Sequence, residues 1–187
     1  MNNERCSWCG SDEIYVAYHD SEWGTPVYDD QRLYEFLLLE TFQAGLSWIT
    51  ILRKRENFSK AFDHFDYYKI AAYDEQKYLE LLQNTGIVRN RLKIRAAIQN
   101  AQAFMEVQRE FGSFSDYLWR FVNHKPIVND WKTLEEVPPS TDLSDQISKD
   151  LKKRGFKFVG STVIYAYLQA VGVVNDHLTT CFKHPDS

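Results

Sequence analysis

DDQRLYEFLLLETFQAG, residues 29–45, decides the fold class. It opens on an Asp, a side chain suited to capping a helix N-terminus, and closes on Gly45. Between them Leu33, Phe36, Leu37 and Glu40 recur at helical spacing on one stripe. The stripe is apolar except for its last member. A carboxylate turned inward with Leu and Phe needs a partner, a ligand or a raised pKa, because an unpaired buried charge is costly. Two explanations fit. Either Glu40 is tied to a buried Arg or to free backbone N–H groups, or it is a pocket floor awaiting a donor or a cation. Gln43 and Trp48 lie close by, with Tyr15, Tyr18 and Trp23 upstream. Electron-rich rings around one negative charge suit a flat, positively charged heterocycle, through stacking and cation–π attraction.

Helical periodicity continues outward from this segment. It runs through LSWITILRKRENFSKAF (46–62, Ser47 as cap), DEQKYLELLQNTG (74–86, from an Asp74 cap to a Gly86 stop) and NRLKIRAAIQNAQAFMEVQREFG (90–112). SFSDYLWRFVNH (113–124) reads as one more helix. DLSDQISKDLKKRG and STVIYAYLQAVG form a pair joined by FKFVG. KPIVNDWKTLEEVPPST (125–141), with three prolines, is an extended loop. The one candidate strand is IYVAYH (14–19), where residues 14, 16 and 18 alternate with smaller ones. We therefore expect an all-α protein in which residues 1–187 form a single domain.

Composition narrows the function classes. The start MNNERCSWCGSDE is not a signal peptide, and no apolar run reaches the roughly 20 residues a bilayer needs, so no membrane partner is expected. Three cysteines do not make a disulfide framework, which points to a reducing, cytoplasmic setting. Of twelve Phe, eleven Tyr and five Trp some build the core, but so many Tyr and Trp also suggest a stacking pocket. The net charge of −4 is uneven: residues 1–50 carry −7 and the remainder +3. RNRLKIR (89–95) and KDLKKRGFK (149–157) are basic patches that can bind a polyanion, although solvated helix faces explain them as well. In RGFKFVG, Gly155 and Gly160 bracket a tight link. Its backbone N–H groups, the helix start at Ser161 and Thr162, and Lys152, Lys153, Arg154 and Lys157 can together grip a phosphate. A plain helix connection is the alternative.

At the end of the chain, VVNDHLTTC (173–181) sets His177 and Cys181 four apart, on one face of a helical turn and within reach of one metal ion. That is half of a tetrahedral site.

The blocks RCSWC, AYHDSEWGTP, QAGLSWITILRKRENF, GIVRNRLKIRAAIQNA, FVNHKP, LKKRGFKFVGST and GVVNDH resemble, in order and spacing, the bacterial 3-methyladenine DNA glycosylase I family. The resemblance covers about residues 4–181. It implies a zinc-containing, all-α helix–hairpin–helix glycosylase that removes 3-methyladenine, and less well 3-methylguanine, from double-stranded alkylated DNA. It makes the segment 149–172 the DNA-gripping hairpin, with Lys153, Gly155, Lys157, Gly160 and Ser161 at the DNA. Glu40 matches the glutamate that hydrogen-bonds the excised base. Tyr18 and Trp48 match the rings lining the base pocket, with Trp8 and Tyr15 as further wall. Gly45 and Leu46 match the segment that enters the gap left by a flipped nucleotide. Cys6 and His19 match the N-terminal ligands of a structural zinc completed by His177 and Cys181, which clasps about 4–20 to 173–184. Cys9 and His184 are rival ligands by spacing alone.

The same resemblance implies free 3-methyladenine as product, and nothing in the sequence demands more than a monomer. In the V-D-x-H-like stretch where many relatives carry a catalytic Asp, this chain has Val174-Asn175-Asp176-His177, and no hairpin lysine matches a Schiff-base nucleophile. A monofunctional enzyme acting on labile cationic lesions is therefore expected. The alternative is a zinc-stabilised module that binds damaged DNA without releasing base. A zinc deaminase is disfavoured, since its H-x-E and P-C-x-x-C signatures are absent.

Overall fold

The fold is organised around one enclosed helix. In a computed structural model that describes residues 4–186, α2 (Asp30–Gln43) is capped by the Asp29 carboxylate, which accepts from the Arg32 N–H. Every residue from Leu33 to Phe42 is buried. A helix covered on all faces belongs at the centre of a bundle. The expected stripe is therefore only one part of a fully packed surface. α3 (Trp48–Ala61), α6 (Arg91–Phe111), α7 (Phe114–Trp119) and α9 (Ser161–Ala170) all pack on α2. Two tyrosines lock it: Tyr34 donates to the Ala97 carbonyl at 2.9 Å, and Tyr167 donates to that of Leu33 at 3.1 Å. α4 (Tyr67–Ala71) and α5 (Glu75–Gln83) complete the face beside α6, and α8 (Asp142–Lys153) packs against α9. No helix among the described residues is long and apolar enough to cross a membrane.

The expected strand at 14–19 is a helix. α1 (Glu13–Ser21) starts at Asp12, whose carboxylate accepts from the Ile14 and Tyr15 N–H groups. Its inner face carries Tyr15, Tyr18 and His19, spaced three and four apart, while Ile14 is 49% exposed. The apparent alternation came from bulky residues on both sides of one short helix. The segment 113–124 divides into α7 and a 3₁₀ turn at Arg120–Val122. The proline-bearing loop contributes β1 (Ile127–Val128), which pairs in parallel with β2 (Val174–Asn175) and so ties the loop to the end of the chain.

α9 ends where the chain must turn beneath the segment 24–27. Gly24 N–H donates to the Gln169 carbonyl and Val27 N–H to that of Val171, each at 3.0 Å. Gly172 makes this possible: its φ is +70°, and a Cβ there would lie 2.3 Å from the Thr25 carbonyl carbon. Backbone cannot yield as a side-chain tip can. Gly172→Ala should cost roughly 2–4 kcal/mol in urea unfolding, from strain plus overpacking. A loss below about 1 kcal/mol would show that the 24–27 segment moves aside freely.

Candidate active site and metal centre

Glu40 lies in the last turns of α2, 3% exposed, with no hydrogen bond or ion pair to it among the described residues. Its neighbour Glu35 shows the contrast. That carboxylate accepts from Arg32 at 2.6 Å and from Arg55 at 2.8 Å, and both guanidiniums also bind Glu22. Of the two readings open from the sequence, pairing to arginine describes Glu35, and the partnerless pocket floor describes Glu40. Burial alone pushes the Glu40 carboxyl up to about 8.

Above Glu40 is a cavity of about 340 Å³. Trp8, Tyr15, Tyr18 and Trp48, four residues expected in the pocket, do line it, together with Trp23 and Gln43. The rings meet edge-on or tilted, with Trp8 5.0 Å from Tyr15 and 4.9 Å from Trp23, and Tyr18 5.6 Å from Trp48. The buried indole N–H groups of Trp8 and Trp48 have no acceptor among the described residues. A buried donor left unpaired costs about 1–3 kcal/mol, so these groups, like the lone carboxyl, favour a polar occupant.

Five wall residues were not assigned from the sequence: Leu134, Val137, Ala166, Gln169 and Asp176. The first two come from the aperiodic loop, and α9 reads only as a hairpin arm. Asp176 was hidden between Asn175 and a metal ligand. Its carboxylate accepts from Asn129 at 2.7 Å, from Trp131 and Gln169 at 2.8 Å, and from the Tyr165 hydroxyl. It joins the loop, α9 and the chain end beside the pocket.

Cys6, His19, His177 and Cys181 form one buried cluster, with all ligand atoms within 4.8 Å of one another. Sulfur–nitrogen separations are 3.6 Å for Cys6–His177, 3.4 Å for Cys181–His19 and 3.5 Å for Cys181–His177. A tetrahedral ion with zinc-like bond lengths requires about 3.5 Å between S and N ligands, so the set fits a metal. The other ring nitrogens are held from outside, His19 by Asp20 at 2.8 Å and His177 by the Trp23 carbonyl at 3.0 Å. The Leu178 and Lys183 amides donate to the two sulfurs. Burial pushes the Cys6 thiol up to about 12 and the His177 imidazole down to about 4, so a thiolate at Cys6 is favourable only beside a cation. Cys9 donates instead to the Cys6 carbonyl, and His184 meets Asn129 and Asp130. Neither belongs to the cluster.

The basic patches are thinner than their sequence suggests. Lys149, Lys152, Lys153 and Lys157 are exposed around the α8–α9 link, but Arg154 is bound by Glu110 and Asp150. In the other patch Lys93 is buried and Arg95 binds Glu75, leaving Arg89 and Arg91 exposed. Gly155 turns the link at φ +91°, Gly160 has open space where a Cβ would stand, and Ser161 exchanges a hydrogen bond with Ser144. Gly45 (φ +80°) and Leu46 (38% exposed) form the turn between α2 and α3, a short step from Glu40.

A methyladenine glycosylase family model matches residues 8–184. DNA-3-methyladenine glycosylase 1 of Escherichia coli (strain K12) is 50% identical over 182 residues, 97% of each protein. A crystal structure of 3-methyladenine DNA glycosylase I superposes with a TM-score of 0.95 at 50% identity, covering 97% of this chain and 100% of that one. Another, solved in complex with 3-methyladenine, gives 0.94 at 37% identity, covering 99% and 98%.

The unpaired Glu40 makes stability depend on pH in a definite direction. Below pH 4.5 the carboxyl is neutral in both folded and unfolded chains. As pH rises the unfolded chain gives up its proton first, so the folded state is penalised until the folded value of about 8 is passed. Wild type should therefore lose more Tm than Glu40→Gln between pH 5 and pH 9, by an amount worth up to a few kcal/mol at roughly 1.4 kcal/mol per unit. Parallel pH–Tm curves for the two proteins would place a hidden partner at Glu40.

Proposed function

The chain belongs to the methyladenine glycosylase family, and we infer that it is a DNA repair hydrolase that cuts the N-glycosidic bond of 3-methyladenine, and less well of 3-methylguanine, in alkylated duplex DNA. The observation that carries this reading is a carboxyl without a partner at the floor of an aromatic cavity. The substrate base is flipped into that cavity, and a lesion costs less to unstack than an intact base.

Methylation at N3 makes the nucleoside's base a cation. Breaking the C1′–N9 bond returns the bonding pair to N9, so the base leaves neutral. The electron-poor sugar carbon takes water, whose proton passes to solvent. Little catalytic force is required beyond holding the charged state. Glu40 supplies a negative charge and an acceptor for the exocyclic amine. Each ring stacked on the base adds roughly 1–3 kcal/mol. Asp176, with four donors already on its oxygens, has no lone pair left for activating water. Among the described residues no lysine lines the cavity either. These features support a monofunctional glycosylase.

Gly45 and Leu46 fill the gap left by the flipped nucleotide, while Gly155, Gly160, Ser161, Lys153 and Lys157 hold the backbone as a helix–hairpin–helix grip. The metal of the Cys6–His19–His177–Cys181 cluster is zinc. Two Cys and two His close the tetrahedron, so the ion is structural and fastens both chain ends. The enzyme acts on chromosomal DNA in the cytoplasm, as a monomer.

Chromatography of bases released from N-methylpurine DNA tests the activity. Wild type should free 3-methyladenine without cutting the strand, and borohydride should trap no enzyme on DNA. Glu40→Gln should be slower by about 10²-fold or more, on the scale of losing one preorganised electrostatic contact. Wild-type kcat/KM should rise with pH up to about 8, where free Glu40 ionises, and the variant should be flat. DNA binding without base release would instead identify a damage-reading module. Elemental analysis should find one zinc per chain, and removing it with a chelator should lower Tm until zinc is restored. A protein with unchanged Tm after metal loss would not need the clasp.

A further inference from the structure

The wedge turn 44–46 and the phosphate-gripping link 155–157 are distant in sequence, yet both are anchored to α6. Lys93, 6% exposed, sends its ammonium to the carbonyls of Phe42 at 2.8 Å and Ala44 at 2.5 Å. The position is odd for its own helix: a cation in the first turn of α6 opposes the helix dipole. It is favourable for α2, whose C-terminal carbonyls it satisfies. The turn is held from its other side by Gln43, which donates to the Leu46 carbonyl at 2.6 Å.

Asn100, 2% exposed, grips the hairpin in the same manner. Its Oδ1 accepts from the Lys157 N–H at 2.8 Å, and its Nδ2 donates to the Lys157 carbonyl at 3.0 Å. Gln99 adds a bond to the Gly155 carbonyl at 2.8 Å. Lys93 and Asn100 are two helical turns apart on one face of α6, about 10 Å along the axis. That equals the rise of about three base pairs.

We propose that α6 is a rigid spacer in which Lys93 and Asn100 are positioning residues that hold the wedge turn and the hairpin at one separation, fixing which nucleotide is displaced relative to the gripped phosphate. The inference rests on the DNA-binding reading above. Neither side chain needs to touch DNA or the excised base. Both act through backbone that does.

The test compares Lys93→Met, Asn100→Ala, their double mutant and Leu46→Ala by three readouts. These are single-turnover base release from duplex DNA, affinity for free 3-methyladenine, and 2-aminopurine fluorescence beside the lesion as a report of wedge entry. Each single positioning variant should slow duplex release by about 10- to 100-fold and blunt the fluorescence change, on the scale of a misplaced reacting group. Affinity for the free base should stay within twofold. Because the spacer fails when either end is loose, the double mutant should be little worse than the slower single.

Lys93→Arg, which keeps charge and donors, should recover most of the rate and guards against a Met variant that folds badly. Equal losses in duplex release and free-base affinity would mean general destabilisation and overturn the spacer. So would losses that multiply in the double mutant. A normal Lys93→Met enzyme beside a slow Leu46→Ala one would remove the spacer alone. An unimpaired Leu46→Ala enzyme would remove the wedge reading and the spacer with it.

Discussion

An ionisable group kept inside a helix bundle without a partner is the constraint on which this structure turns. From Leu33 to Phe42 α2 is enclosed on every side, so each side chain there must be apolar, paired or functional. Glu35 is paired twice over, and Glu40 is not paired at all. The bundle tolerates Glu40 because it can hold a proton while the cavity is empty. Arrival of a cation changes that balance. On the proposed reading, the charge on the occupant would support the charge on the carboxylate, and a local cost in stability would become selectivity for positively charged bases.

The cavity around that carboxyl is assembled from chain segments that share no secondary structure. Trp8 comes from a 3₁₀ turn, Tyr15 and Tyr18 from α1, Trp48 from the first turn of α3, and Leu134 and Val137 from the long loop. Two devices hold these pieces together. The Cys₂His₂ cluster joins the N-terminal segment to residues 177–181, and Asp176, beside it in sequence, collects the loop and α9. Because the His177 ring is braced by the Trp23 carbonyl, the clasp reaches the pocket wall directly. A metal held by this cluster would therefore bear on the shape of the site.

Much of this was legible in the residues. The helical period of 29–45 located α2 and marked Glu40 as inward-facing, and the His177–Cys181 spacing marked half of the metal set. The failures share one cause: sequence patterns report local periodicity, whereas tertiary contacts decide who is buried. Residues 14–19 read as a strand because a nine-residue helix is too short to establish its period against an accidental alternation. Lys93 and Arg154 counted as surface cations, but one is consumed by carbonyls of another helix and the other by Glu110 and Asp150. Leu134 and Val137 carried no signal, since a loop places its side chains by contacts made far along the chain.

The two basic patches, thinned in this way, also bear on how the protein meets a polyanion. The charges that remain free at 149, 152, 153 and 157 surround one tight link, and those at 89 and 91 lie at the start of α6. A small number of phosphate contacts gives a shallow salt dependence and modest affinity for undamaged duplex. Tight non-specific binding would hinder a search for rare lesions, whereas a light grip leaves discrimination to the pocket. The net charge of −7 over residues 1–50 adds to this tendency by weakening the overall attraction to a polyanion. On the proposed reading, recognition would concentrate at the one place where a cationic base gains what the rest of the DNA cannot: a carboxyl that has no other partner among the described residues.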